Sequence, residues 1–95
     1  MYFDKDGNPL ELFEWANKLE DKEYKRVAQD TVGDYWISTV WLGIDHSFGL
    51  SDKKIFETMV FKGHEAENDL TRRYSTLEQA IDGHKETVKI VGAEG

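Results

Sequence analysis

Asp45-His46, Glu57 and His84 carry the side chains needed for acid–base chemistry or for holding zinc. Zinc accepts imidazole nitrogen and carboxylate oxygen in a tetrahedral set, and an imidazole oriented by a carboxylate is the commonest general base. In a catalytic arrangement His46 would be the base and Glu57 its orienting or acidic partner, with His84 converging on them. The chain would then be a small hydrolase or a metal-dependent enzyme. Their spacing matches no metal signature. His84 falls on an apolar helical face, where an imidazole more often sits in the core, hydrogen-bonded to a carboxylate. Asp45 and His46 are equally suited to pinning a loop, and Glu57 to accepting a hydrogen bond, because polar groups on covered faces need partners. We expect structural roles, no metal and no cofactor.

Asp4-Lys5-Asp6-Gly7-Asn8 is similar to the start of a calcium loop. That loop needs glycine at its sixth position and a bidentate glutamate at its twelfth. Pro9 and Trp15 stand there, so a turn is expected. Tyr35, Trp36, Trp41, Phe48, Phe56 and Phe61 form a dense aromatic set. Such rings stack on nucleobases, but they are also ordinary core and interface material. Trp36 and Trp41, with Asp45, His46 and Arg73, are the candidate ligand- or partner-binding residues. Arg72-Arg73 with Lys62 and His64 suggest either a local anion pocket or an edge strand guarded by charge. Glu11, Glu14 and Glu20, with further acidic residues at 21, 23, 65, 67 and 69, suggest a solvated face or an acidic surface that docks on a basic protein. No Gly-rich phosphate loop, Ser-His-Asp signature or H-E-x-x-H motif occurs.

Ninety-five residues give room for one small domain, 1–95, with one modest core. A chain with 13% aromatic residues is not disordered, and a net charge of −7 argues against direct nucleic-acid binding. The absence of cysteine excludes disulfides, thiol nucleophiles and thiolate metal sites. No apolar run is long enough to span a membrane, and the polar start is unlike a signal peptide, so a cytoplasmic protein is expected.

The elements that must position these residues follow from pattern. A hairpin closes the amino end around Asp4-Lys5-Asp6-Gly7-Asn8-Pro9. A helix over 11–20 places Leu12, Trp15, Ala16 and Leu19 on one face. Strands are expected over 24–32, 35–43, 55–61 and 70–74, with Gly33-Asp34 as a turn. Residues 45–54 and 62–69 read as loops. Ser75 and Glu78 predict a capping box, and Leu77, Ala80, Ile81, His84 and Val88 one face of a second helix. Gly83 weakens that helix, and the tail at 92–95 should fray. The fold class is α+β: an antiparallel four-stranded meander with an N-terminal and a C-terminal helix packed on it. Both faces of 35–43 are largely apolar, so cover on both sides is expected, with a homodimer through the sheet as one way to supply it.

The run Ser38-Thr39-Val40-Trp41-Leu42-Gly43-Ile44-Asp45-His46, then Ile55-Phe56-Glu57-Thr58-Met59-Val60-Phe61, then Arg73-Tyr74-Ser75-Thr76, Ala80 and Gly83-His84, resembles a family of short proteins. Bacteriophages, prophages and bacteria encode them. The likeness covers nearly the whole chain. The stretch Gly49-Leu50-Ser51-Asp52-Lys53-Lys54 departs from it, because the family's loop before the second strand is rich in glycine and proline. The resemblance implies a phage or mobile-element origin and nothing about chemistry. With the acidic charge balance, it leads us to expect a non-enzymatic accessory protein in a bacterial cytoplasm. Such a protein would inhibit a host antiviral defence component through a protein–protein contact at Glu11, Glu14 and Glu20. The alternative is sequestration of a small nucleotide signal in a sheet–helix or subunit-interface pocket.

Overall fold

The computed structural model describes residues 1–45 and 53–94, the side chain of Glu94 excepted. His46, Phe48 and the rest of the loop at 46–52 lie outside the described residues. Tyr2–Phe3 (β1) and Pro9–Leu10 (β2) pair as a hairpin. Its turn is held by Asp4, whose carboxylate accepts the Asp6 and Asn8 N–H groups at 2.9 and 2.8 Å. The calcium-like carboxylate is thus spent on the turn itself, as expected.

Leu12–Glu20 forms α1, with the Glu14 carboxylate accepting the Glu11 N–H at 3.3 Å. Asp21 then starts a single helical turn, Lys22–Lys25 (α2), by accepting the Glu23 and Tyr24 N–H groups. Tyr24 is therefore helical, and the strand expected from residue 24 begins at Arg26. The sheet consists of Arg26–Val32 (β3), Tyr35–Trp41 (β4), Phe56–Lys62 (β5), Glu65–Ala66 (β6) and Arg72–Tyr74 (β7). Each strand lies antiparallel to its neighbour in the order β3-β4-β5, and β6 and β7 share the outer edge of β5. Gly33-Asp34 joins β3 to β4 as a two-residue turn, with Gly33 at φ +58°, the left-handed conformation such turns require. A 3-10 turn, Asn68–Leu70, sits in the stretch expected to be loop and strand. The last helix is Leu77–Glu94 (α3). It runs to Glu94, into the stretch expected to fray. No helix among the described residues is long and apolar enough to cross a membrane.

The fold class is the expected α+β meander with an N-terminal and a C-terminal helix, α1 and α3, packed against it; β6, in a stretch expected to be loop, adds a fifth strand to the four expected. The core is layered by strand register. Trp41, Phe56 and Ala80 gather with Phe3 and Ile55 at one end, and α1 closes that end with Trp15 and Leu19. Ile37, Val60 and Val91 form a second cluster at the other end. Between them Thr39 and Thr58 face His84. The amino end is stitched to this core: the indole N–H of Trp41 donates to the Phe3 carbonyl at 2.9 Å, and the Phe3 N–H to the Gly43 carbonyl at 2.8 Å.

Four local readings are corrected. The cap of α3 is Thr76, whose hydroxyl accepts the Gln79 N–H at 3.1 Å, not Ser75. Leu12 and Ile81 are exposed, so the buried faces of α1 and α3 are narrower than their periodicity implies. On α3 the face is completed by Thr87 and Val91 instead. Finally, the two sides of β4 are covered unequally: on the side away from α3, Ser38 is buried but α2 reaches only one edge. Helices α1 and α3 pack on the face of Ile37, Thr39 and Trp41, and Trp36 on the other face is 43% exposed.

Gly83 is a packing requirement rather than a weakness. A Cβ there would lie 2.3 Å from the Tyr74 ring carbons and hydroxyl. Alanine normally gains ~1 kcal/mol over glycine within a helix. At this position overpacking, typically ~1–3 kcal/mol, should outweigh that gain. Gly83→Ala should therefore lower the melting temperature, and adding Tyr74→Val should recover part of the loss. A Gly83→Ala melt above wild type would show that α3 does not press on Tyr74.

Candidate functional site

Thr39, His84 and Asp30 are in the relative positions of a hydroxyl nucleophile, a base and an orienting acid. Asp30, opposite Ile37 on β4, lies on the same face as α3. His84 Nε2 is 2.7 Å from the Asp30 carboxylate, and His84 Nδ1 is 2.7 Å from Thr39 Oγ1. Thr39 Oγ1 is in turn in close hydrogen-bond contact with Thr58 Oγ1. A neutral ring with its proton on Nε2 satisfies every proton: Thr58 donates to Thr39, Thr39 to His84, and His84 to Asp30. Yet Thr39 and Thr58 are wholly buried between sheet and helix. A reacting carbonyl has to come within ~3 Å of the nucleophile, and nothing can reach Thr39. The arrangement is a polar girder between two apolar clusters, in keeping with the structural role expected of His84.

Glu57 and His84, which the alternative catalytic arrangement would bring together, do not converge. Glu57 points to the opposite face of the sheet, where its carboxylate accepts from Arg73 Nε at 3.0 Å. The strand's two-residue period puts Glu57 and Thr58 on opposite faces, and His84 belongs with Thr58. Asp45 is partly buried and its N–H donates to the Met1 carbonyl at 3.0 Å, which anchors the amino end. Trp41 is fully buried and is core, not a ligand contact. Arg72 and Arg73 also alternate. Arg72 donates to the Asp69 and Thr71 carbonyls, whereas Arg73 pairs with Glu57, so they form no common anion pocket. Glu11, Glu14 and Glu20 are all exposed. Six residues separate Glu14 from Glu20, which sets them about 120° apart around a helix, so the three do not form one patch.

The helix-free face of the sheet is built in three cross-strand rows. Thr31, Trp36, Phe61 and Ala66 form the first, Gln29, Ser38 and Met59 the second, and Arg26, Val40, Glu57 and Arg73 the third. Trp36 stacks on Phe61, with ring centroids 5.4 Å apart and planes at 30°. Trp36 and Arg73, two of the expected contact residues, thus share this face, but Arg73 is already neutralised by Glu57.

Beside Trp36 runs a groove of about 230 Å³ lined by Lys22, Lys25, Arg26, Gln29, Trp36, Ser38 and Val40. Its cations sit at the edge because α2 ends where β3 begins. The same end of the molecule holds two more lysines, Lys5 and Lys18, whose ammonium groups lie 4.8 and 4.4 Å from the Tyr24 ring centre. Partial burial lowers the Lys5 pKa, with Asp21 opposing the shift. A chain of net charge −7 therefore has a basic corner. Sequence reasoning missed this corner. Its signal was Lys22, Lys25 and Arg26 within five residues, against the prevailing charge. Comparison of the chain with protein-family models, curated proteins and solved structures finds no match.

Proposed function

We propose that this chain works by binding rather than turnover, through the helix-free face of its sheet. It would be an accessory protein of phage or mobile-element type that holds a host antiviral component out of action. The observation that carries this reading is the half-exposed Trp36, stacked on Phe61 on the sheet face that α1 and α3 leave bare. Large aromatic rings left in water on a flat face are what binding surfaces use as anchors. The buried position of Thr39 supports binding over catalysis, since the triad-like set is sealed from substrate. The acidic helix is a weaker candidate surface because its carboxylates are spread around the helix.

The test is phage plating on defence-bearing bacteria that express the chain. Plating should rise at least tenfold on a susceptible pairing, in proportion to the amount of chain, as expected of a stoichiometric inhibitor. Trp36→Glu should abolish the rise without unfolding the protein. Glu11→Lys, Glu14→Lys and Glu20→Lys together should leave it. The reverse pattern would return the contact to the acidic helix. A second copy is the competing occupant, and a dimer in sedimentation that dissociates with Trp36→Glu would put the chain itself on that face.

A further inference from the structure

We infer that the groove beside Trp36 holds a nucleoside phosphate, with the base on the indole and the phosphate among Lys22, Lys25 and Arg26. The inference rests on the reading of the helix-free face as the binding surface and names what that surface takes. Three observations converge. Trp36 offers a half-exposed indole, and stacking on such a ring accepts any base. Lys22, Lys25 and Arg26 line the groove, and Arg26 lies opposite Val40, four residues along β4 from Trp36. At ~3.4 Å per residue that is ~14 Å. Lys22, Lys25 and Arg26 line the same groove as Trp36, so their side chains come nearer to the indole than that backbone spacing. Between the two ends lie the Gln29 amide and the Ser38 hydroxyl, bonded to each other at 3.4 Å and able to turn to a sugar or base edge.

The groove's volume of about 230 Å³ is below the ~300–1,000 Å³ usual for ligand pockets, so a single nucleotide would fill it and lie partly in solvent. Charge points the same way. The groove is basic, but the rest of the chain is more acidic than its net −7, so a long polyanion leaving the groove would meet repulsion.

The experiment is calorimetric titration of the intact chain with the four ribonucleoside triphosphates. Adenosine, inorganic triphosphate and a single-stranded 12-mer serve as comparison probes. At least one nucleotide should bind saturably, at least tenfold more tightly than adenosine or triphosphate alone. Trp36→Ala and Lys25→Glu should each weaken it at least tenfold, whereas Lys89→Glu, on the exposed side of α3, should not. The inference is overturned by no saturable binding up to about 1 mM. It is equally overturned by triphosphate binding as well as the nucleotide, by indifference to Trp36→Ala, or by tighter binding of the 12-mer. If nucleotides fail while Trp36→Glu still abolishes the plating effect, the binding face stands and its ligand has been misnamed. If nucleotides bind and Trp36→Glu leaves the plating effect intact, the groove stands and the contact that blocks defence lies elsewhere on the chain.

Discussion

Replacing Trp41 with alanine should remove about 3–5 kcal/mol of stability, the usual cost of deleting a large buried aromatic side chain. Trp41 is fully buried, and its indole N–H donates to the Phe3 carbonyl. The variant loses the ring contacts with Tyr24, whose centroid lies 5.0 Å away, and leaves that carbonyl without its donor. Domains of this size commonly have only ~5–15 kcal/mol in total, so Trp41→Ala should be largely unfolded at modest urea concentrations. Trp36→Ala is the matched control. Its ring is 43% exposed and loses mainly the stack on Phe61, worth ~1 kcal/mol. Urea titrations of both variants decide the matter. Equal losses would mean that the two faces of β4 are buried alike, and that the helix-free face is not free.

The second large effect is expected in the polar girder. Thr39→Val keeps shape but removes the partner of two buried groups, the Thr58 hydroxyl and His84 Nδ1. A buried polar group left unsatisfied costs ~1–3 kcal/mol, so the loss should be about 2–4 kcal/mol. The triple variant Thr39→Val, Thr58→Val and His84→Leu removes the whole buried set together. It should lose clearly less than the sum of its single changes, because no donor or acceptor is stranded and Asp30, with a side chain 54% exposed, returns to water. Additive losses, or a Thr39→Val variant within ~0.5 kcal/mol of wild type, would show that these groups are satisfied some other way.

The strands were legible because β-branched and aromatic residues crowd 35–41 and 55–61, and their alternation separates Trp36 from Trp41. Alternation does not say which face is buried. Ile37, Thr39 and Trp41 look no more core-like than Trp36, Ser38 and Val40 until α3 chooses a side. For the same reason Glu57 and His84 were read as potential neighbours: their separation across the sheet depends on helix placement, which no local pattern encodes. The cap of α3 slipped by one residue because Ser75-Thr76 offers two adjacent hydroxyls, with Glu78 and Gln79 three residues beyond each. The buried role of His84 was legible from its apolar helical face. The basic groove was not, because it joins a four-residue helix to one end of a strand whose pattern was weak.

The position of α3 also bears on how the chain is made. Synthesis releases a polypeptide amino end first, and units that complete early fold early. Every strand among the described residues has been made by Tyr74, yet α1 covers only the end of the sheet at Trp41 and Phe56, and Ile37, Thr39, Thr58 and Val60 gain their cover only with the eighteen residues of α3. Until His84 docks, the hydroxyls of Thr39 and Thr58 must be satisfied by water. A chain cut short before Ala80 would therefore leave most of both sheet faces bare at once, a state in which strands readily pair with the wrong partner.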